Sequence, residues 1–125
     1  MNEKEKNMNE AAFSVNILIK KNDDLFVAHC LELDIVATGK TIAEVQSEII
    51  SLISAQIEYA FTNNNLEHLY HPAPPEVWNE FFSCKKQIES KYKIKPGSLE
   101  SDKKHNILPP WLIAKTCQSG SSCNA

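Results

Sequence analysis

Arginine is absent from the 125-residue chain: all 13 basic residues are lysines. Without guanidinium forks there is no bidentate grip on phosphate or guanine, which weakens any case for direct DNA readout. No apolar run approaches the roughly 18 residues that a membrane span needs. Residues 1–10 are polar and charged with no apolar stretch behind them, so no secretory signal is expected and a cytoplasmic protein is the default. No two of the four cysteines, Cys30, Cys84, Cys117 and Cys123, stand as C-x-x-C, the minimum spacing of zinc ribbons and thioredoxin-like sites. With no export signal, the expectation is reduced thiols in a reducing compartment. There is also no internal repeat.

What is present is ordinary for a globular domain: 42% apolar and 23% charged residues, a net charge of −3 and a pI near 5.8. One compact domain with some extra chain fits this length. Charge is unevenly spread. Residues 1–62 carry five lysines against ten carboxylates, and residues 63–125 carry eight against six. The acidic half is also the better patterned one.

Phe13, Val15, Ile17 and Ile19 alternate with their neighbours at the period of a half-buried strand. The run Lys20-Lys21-Asn22-Asp23-Asp24 is polar and short enough to close a hairpin. Residues 25–33 supply the return strand, with apolar side chains on both faces, and residues 35–38 a third strand ended by Gly39, placed there for a positive φ. Thr41-Ile42-Ala43-Glu44 then reads as a capping box, with Glu44 reaching back to the Thr41 amide. Ile42, Val45, Ile49, Leu52 and Ile53 continue at helical spacing, predicting a helix over 42–61 that stops at the Asn63-Asn64-Asn65 turn.

Beyond it, residues 66–71 read as a weak fourth strand. Pro72-Ala73-Pro74-Pro75 is a hard break, with Pro75 suited to the first turn of a second helix. Trp78, Phe81, Phe82, Lys85 and Ile88 predict that this helix runs to Ser90 or Tyr92. From residue 95 the pattern dissolves, apart from an apolar island at 107–113 expected to dock as a single turn.

The stretch His29-Cys30-Leu31-Glu32-Leu33-Asp34-Ile35-Val36, followed by Gly39-Lys40-Thr41-Ile42-Ala43-Glu44, resembles the N-terminal domain of the HicB antitoxin family. That family shows an A-x-C-L-E-L-D-I type stretch after a hairpin, then a T-x-G-x-T-x-E-A type helix opening. Ala28, Cys30, Gly39, Thr41 and Glu44 stand at the matching positions as its structural motif. Two departures are Asp23-Asp24, where a glycine-containing turn is usual, and Val45, where alanine is preferred.

The resemblance implies an α+β fold in β-β-β-α-β order, a three- to four-stranded antiparallel sheet with a packed helix like a reduced ribonuclease H. A C-terminal helix is expected to follow. The division it suggests is a disordered N-terminus over 1–10, a HicB-like domain over 11–71, a Pro-initiated helical extension over 72–93 and an irregular or flexible tail over 94–125.

The family's DNA-binding module would fall where Pro96-Gly97 and Pro109-Pro110 interrupt any helix, so the domain reads as solitary. Its implied function is to bind and neutralise a small basic HicA-type toxin that cleaves mRNA. The alternative is a solitary HicB-fold domain serving in regulation or self-association.

Glu32 and Asp34 are the implied partner contacts, with Trp78 and Phe81 as aromatic hot spots beside the acidic rim. Exposed sheet edges and the aromatic second helix predict a homodimer or homotetramer. No catalytic residue, cofactor or metal is expected. Phe13 to Ile19 carries none of the carboxylates that two-metal chemistry would need, His68 and His71 read as surface histidines, and Cys30 reads as a small core residue. The lysine-rich stretch from Lys85 to Lys104 reads as a solvated face, with weak phosphate binding as the sharper alternative.

Overall fold

The computed structural model describes residues 12–94 and 111–118. Expectations for residues 1–10, for the Pro96-Gly97 and Pro109-Pro110 breaks, for Cys123 and for the chain's last residues lie outside the described residues. The fold is α+β, with a five-stranded mixed sheet and two helices.

Strand β1 (Ala12–Asn22) and strand β2 (Leu25–Cys30) form the expected hairpin, closed by Asp23 and Asp24. Asp23 takes a left-handed φ of 60°, a conformation that aspartate tolerates through its own local hydrogen bonding. Strand β3 (Ile35–Gly39) pairs antiparallel with β2. Helix α1 (Ile42–Thr62) follows at once, and the Thr41 hydroxyl accepts from the Glu44 amide at 3.0 Å. Glu44 completes the cap one residue further back than the motif predicts, accepting from the Lys40 amide at 2.8 Å.

Val45, Ile49, Ile53 and Ile57 of α1 are fully buried against Val15, Ile17, Ile19, Ala28, Cys30 and Ala37 of the sheet. Each such side chain contributes roughly 1.5–3 kcal/mol.

Gly39 ends β3 for a reason other than the expected one. A Cβ there would lie 2.8 Å from the Val45 amide nitrogen and 3.1 Å from its Cα, so the residue is small because α1 starts against it. Its φ is not left-handed.

The second half departs from the expectation in three places. Residues 66–71 are not a strand: Leu66–His68 is a single 3-10 turn, and the chain then runs extended beside the β2–β3 turn. Along that run His71 N donates to Glu32 O at 3.0 Å and Ala73 N to Leu31 O at 2.8 Å.

Helix α2 (Pro75–Phe82) starts at Pro75 as expected but ends at Ser83, and Gln87–Lys93 is strand β4. Ile88 and Tyr92 lie four apart, which satisfies a helix and a period-2 strand equally. The stretch counted as irregular contains strand β5 (Trp111–Gln118), which pairs parallel to β1 and antiparallel to β4. The order is therefore β3-β2-β1-β5-β4, a five-stranded mixed sheet in place of a three- or four-stranded antiparallel one.

The sheet is covered on both sides. On the side away from α1, Leu18, Leu31, Ala73, Phe81 and Cys117 form a second core under α2. The expected free thiols are corrected here. Because α2 stops at Ser83, Cys84 comes to lie over β5, its Cα 6.1 Å from that of Cys117, and the two form a disulfide. Cys30 alone is free among the described cysteines, and it is buried.

Two outcomes follow. Gly39→Ala should lower unfolding free energy in a urea melt by about 1–3 kcal/mol, since backbone must move to admit the methyl group. Reduction with a dithiol, or Cys84→Ser, should lower it by about 2–4 kcal/mol. A melt insensitive to reductant would mean that the Cys84–Cys117 bond does not hold α2.

Candidate functional site

Strand β1 extends beyond the end of β2, and that mismatch builds the site. The last β1–β2 pair is Ile17 with Cys30, so the next residue of β1, Asn16, has no partner in β2 although it pairs with Lys115 of β5. Its carbonyl accepts from Leu31 N at 2.9 Å. Its amide donates to Glu32 Oε1 at 2.7 Å, and its side-chain Nδ2 donates to Glu32 Oε2 at 2.6 Å. Glu32 Oε1 thus stands in for a strand carbonyl, and Oε2 holds the Asn16 side chain. The sequence reading made Glu32 a partner contact; it is partly buried and both its oxygens accept from Asn16 within its own chain.

Burial pushes the Glu32 carboxyl above the ordinary glutamate value, and the hydrogen bonds from Asn16 offset this only in part. The residue walls a cleft of about 250 Å³ on the α2 side of the sheet, together with Ser14, Asn16, Glu89, Ile113 and Lys115. Glu89 and Lys115 stand directly opposite each other in the β4–β5 register, so opposite charges meet on one wall.

Asp34 occupies the β2–β3 turn with φ 56°, exposed, and its Oδ1 lies 2.6 Å from His29 Nε2. His29 sits opposite Leu18 in the register and so points to the α2 side. Of the aromatic residues expected at an interface, Phe81 is a core residue, 1% exposed. Its neighbour Phe82 is 66% exposed and packs against Trp78 with ring centroids 5.9 Å apart. The surface aromatic pair is therefore Trp78 and Phe82. A shift of one residue in helical phase separates this from the sequence reading. Lys20 of β1 pairs with Glu80 of α2 at 3.1 Å beside it.

The motif residues serve the fold. Ala28 and Cys30 are fully buried under α1, Gly39 admits the start of that helix, and Thr41 and Glu44 cap it. Burial pushes the Cys30 thiol up to about 12, with only partial relief from the backbone amides of Leu33 and Glu32. A thiol in that state is not a nucleophile at neutral pH. His68 is exposed and hydrogen-bonds Asn65 at 2.7 Å. Among the described residues no three histidines, cysteines or carboxylates gather into a set that could hold a metal ion. No helix among them is long and apolar enough to cross a membrane.

Comparison with family models, with curated proteins and with solved structures found no match to this chain.

The role of Glu32 can be read through stability. Glu32→Ala leaves the Asn16 amide without its acceptor and should cost about 1–3 kcal/mol. Glu32→Gln should cost less, because its amide oxygen still accepts and the Asn16 side chain can turn over. Since the folded carboxyl binds its proton more tightly than the unfolded one, its contribution is complete in acid and is lost as pH rises through the folded value. The difference in stability between wild type and Glu32→Gln should therefore change as pH rises from the ordinary glutamate value to the raised folded one. A flat difference would mean that Glu32 ionises as it does in water.

Proposed function

We propose that the chain is a non-catalytic binding module of the HicB-like antitoxin type, which neutralises a small basic HicA-type mRNA-cleaving toxin in the cytoplasm by covering it. One juxtaposition carries the reading: the exposed acidic turn at Asp34 belongs to the same side of the sheet as the exposed Phe82 and the half-buried Trp78 it packs against. An acidic rim beside desolvating aromatic rings is the arrangement that suits a basic protein partner. Two further observations support it. The segment that resembles the family folds as one unit, β2, turn, β3 and a capped α1. Ten carboxylates against five lysines in residues 1–62 give that half a field that attracts cations and hastens encounter with a surface made to hold RNA.

In this reading Asp34 steers and orients, and the His29 contact fixes its carboxylate. Trp78 and Phe82 exclude water at the centre of the contact. Glu32 contributes indirectly, by holding the turn that carries Asp34. The alternative, a solitary HicB-fold domain that works by self-association, draws on β4, an edge strand among the described residues.

Affinity capture of the tagged protein from its native host should recover a small basic protein that is toxic when expressed alone and harmless beside this chain. In a titration against it, Asp34→Lys and the pair Trp78→Ala with Phe82→Ala should each weaken binding about tenfold or more. The Asp34→Lys effect should shrink with added salt. Recovery of no such protein, or affinity unchanged in both variants, removes this face as the toxin's binding site.

A further inference from the structure

Among the described residues the strand order leaves two edges, β3 and β4, each hydrogen-bonded to one neighbour only. An unpaired edge is a template for another strand, and proteins commonly guard it with lysines. Strand β4, Gln87-Ile88-Glu89-Ser90-Lys91-Tyr92-Lys93, carries lysines, yet it also carries its own complement. We infer that β4 is a homodimerisation edge, pairing antiparallel with β4 of a second copy about a two-fold axis through Ser90 and joining the two sheets into one.

The register is selected by elementary geometry. Residues directly opposite in an antiparallel pair point to the same side, so a two-fold axis normal to the sheet must pass through a residue position. An axis at residue 89 sets Glu89 against Glu89, and one at residue 91, although it sets Glu89 opposite Lys93, places Lys91 against Lys91 at its centre. At residue 92, Lys91 would oppose Lys93; at residue 88 the lysines would find no partner. Only the axis at Ser90 sets Glu89 opposite Lys91, twice by symmetry, and at the same time Ile88 opposite Tyr92, also twice. The outer pairs are then Gln87 with Lys93.

Each of these pairs falls on a side of the sheet that suits it. By its register with β5, Ile88 stands beside Thr116 and Tyr92 beside Leu112, on the α1 side. There Ile88 is 53% exposed, and Tyr92 lines a groove of about 620 Å³ running along α1 past Ala43, Ser47, Ile50 and Ser51. A second copy brings its own Ile88 and Tyr92 to that groove and removes both from water. Glu89 and Lys91 lie on the other side, next to Lys115 and Ile113. Lys91 also stands over the Trp111 ring of β5, 4.5 Å from its centroid, and swings outward from that ring to meet the partner's Glu89. Strand β3 offers no equivalent: it is five residues long, carries no charge and ends at Gly39.

The test is a charge swap read by sedimentation of the full chain, with circular dichroism to confirm that each variant is folded. Wild type should sediment as a dimer. Glu89→Lys alone or Lys91→Glu alone sets like charges opposite each other twice and should weaken the dimer about tenfold or more. The double variant Glu89→Lys with Lys91→Glu restores both pairs with their signs exchanged and should recover dimerisation. Amide exchange gives a readout that does not depend on any substitution: raising protein concentration should slow exchange in Gln87–Lys93 and leave Ile35–Gly39 unchanged. A monomeric wild type, a dimer indifferent to the single swaps, a double variant as dissociated as the singles, or slowing confined to β3 would each overturn the proposal. These outcomes are independent of whether a toxin is captured.

Discussion

The structure depends on keeping β1 dry on both faces and paired on both edges. Ile17, Leu18 and Ile19 are consecutive in sequence and all but fully buried, so their side chains point alternately to opposite sides and each side must be covered. Helix α1 supplies one cover with its isoleucine stripe, and Phe81, Leu31 and Ala73 supply the other. The two edges are taken by β2 and β5. Where β2 falls short, the unsatisfied amide of Asn16 is the defect that draws in Glu32, since a partly buried donor left unmade is more expensive than the strain of a well-placed side chain. The tightness of the β2–β3 turn, the position of Asp34 and the docking of residues 71–73 all trace to that repair.

The N-terminal half was legible because its signals are redundant. Alternation in β1, turn-forming aspartates and a capped amphipathic stripe each point to one local structure, and tertiary packing agrees with all of them. The C-terminal half offered signals that are degenerate or weak. Ile88 and Tyr92 fit either period, and Trp78, Phe81 and Phe82 before them tipped the reading toward one long helix that Ser83 in fact ends. Strand β5 is an interior strand built partly of Ala114, Lys115, Thr116 and Cys117, none of which stands out as a core residue when the neighbours it packs against are far away in sequence.

The site was legible by composition and not by role. Asp34, read as a partner contact, is exposed in the β2–β3 turn. The two oxygens of Glu32 could not be assigned without knowing that β2 ends at Cys30, and Phe81 could not be told from Phe82 without the phase of α2. The pairing of Cys84 with Cys117 lay further out of reach, because it joins a helix end to a strand that the sequence did not disclose. That bond bears on the face proposed for binding, since it tethers the helix that carries Trp78 and Phe82. Under reducing conditions the tether opens, and the aromatic pair is then held by the apolar packing of Phe81, Ala73, Leu18 and Leu31.

The central place of β5 has a consequence for how the protein comes into being. Chain growth is vectorial, and β1, β2, β3 and α1 all leave the ribosome before residues 111–118 do. Until those residues arrive, β1 has one bare hydrogen-bonding edge, and the second face of the nascent sheet lacks Cys117. The sheet cannot close progressively as it is synthesised; it closes by late insertion of a strand between two already made. Such an intermediate has a sticky edge at the centre of its future core, and its lifetime is set by the rate at which the chain is finished. Slow translation over the β4–β5 connection would lengthen that exposure, so for this fold the speed of synthesis is itself a determinant of the yield of native protein.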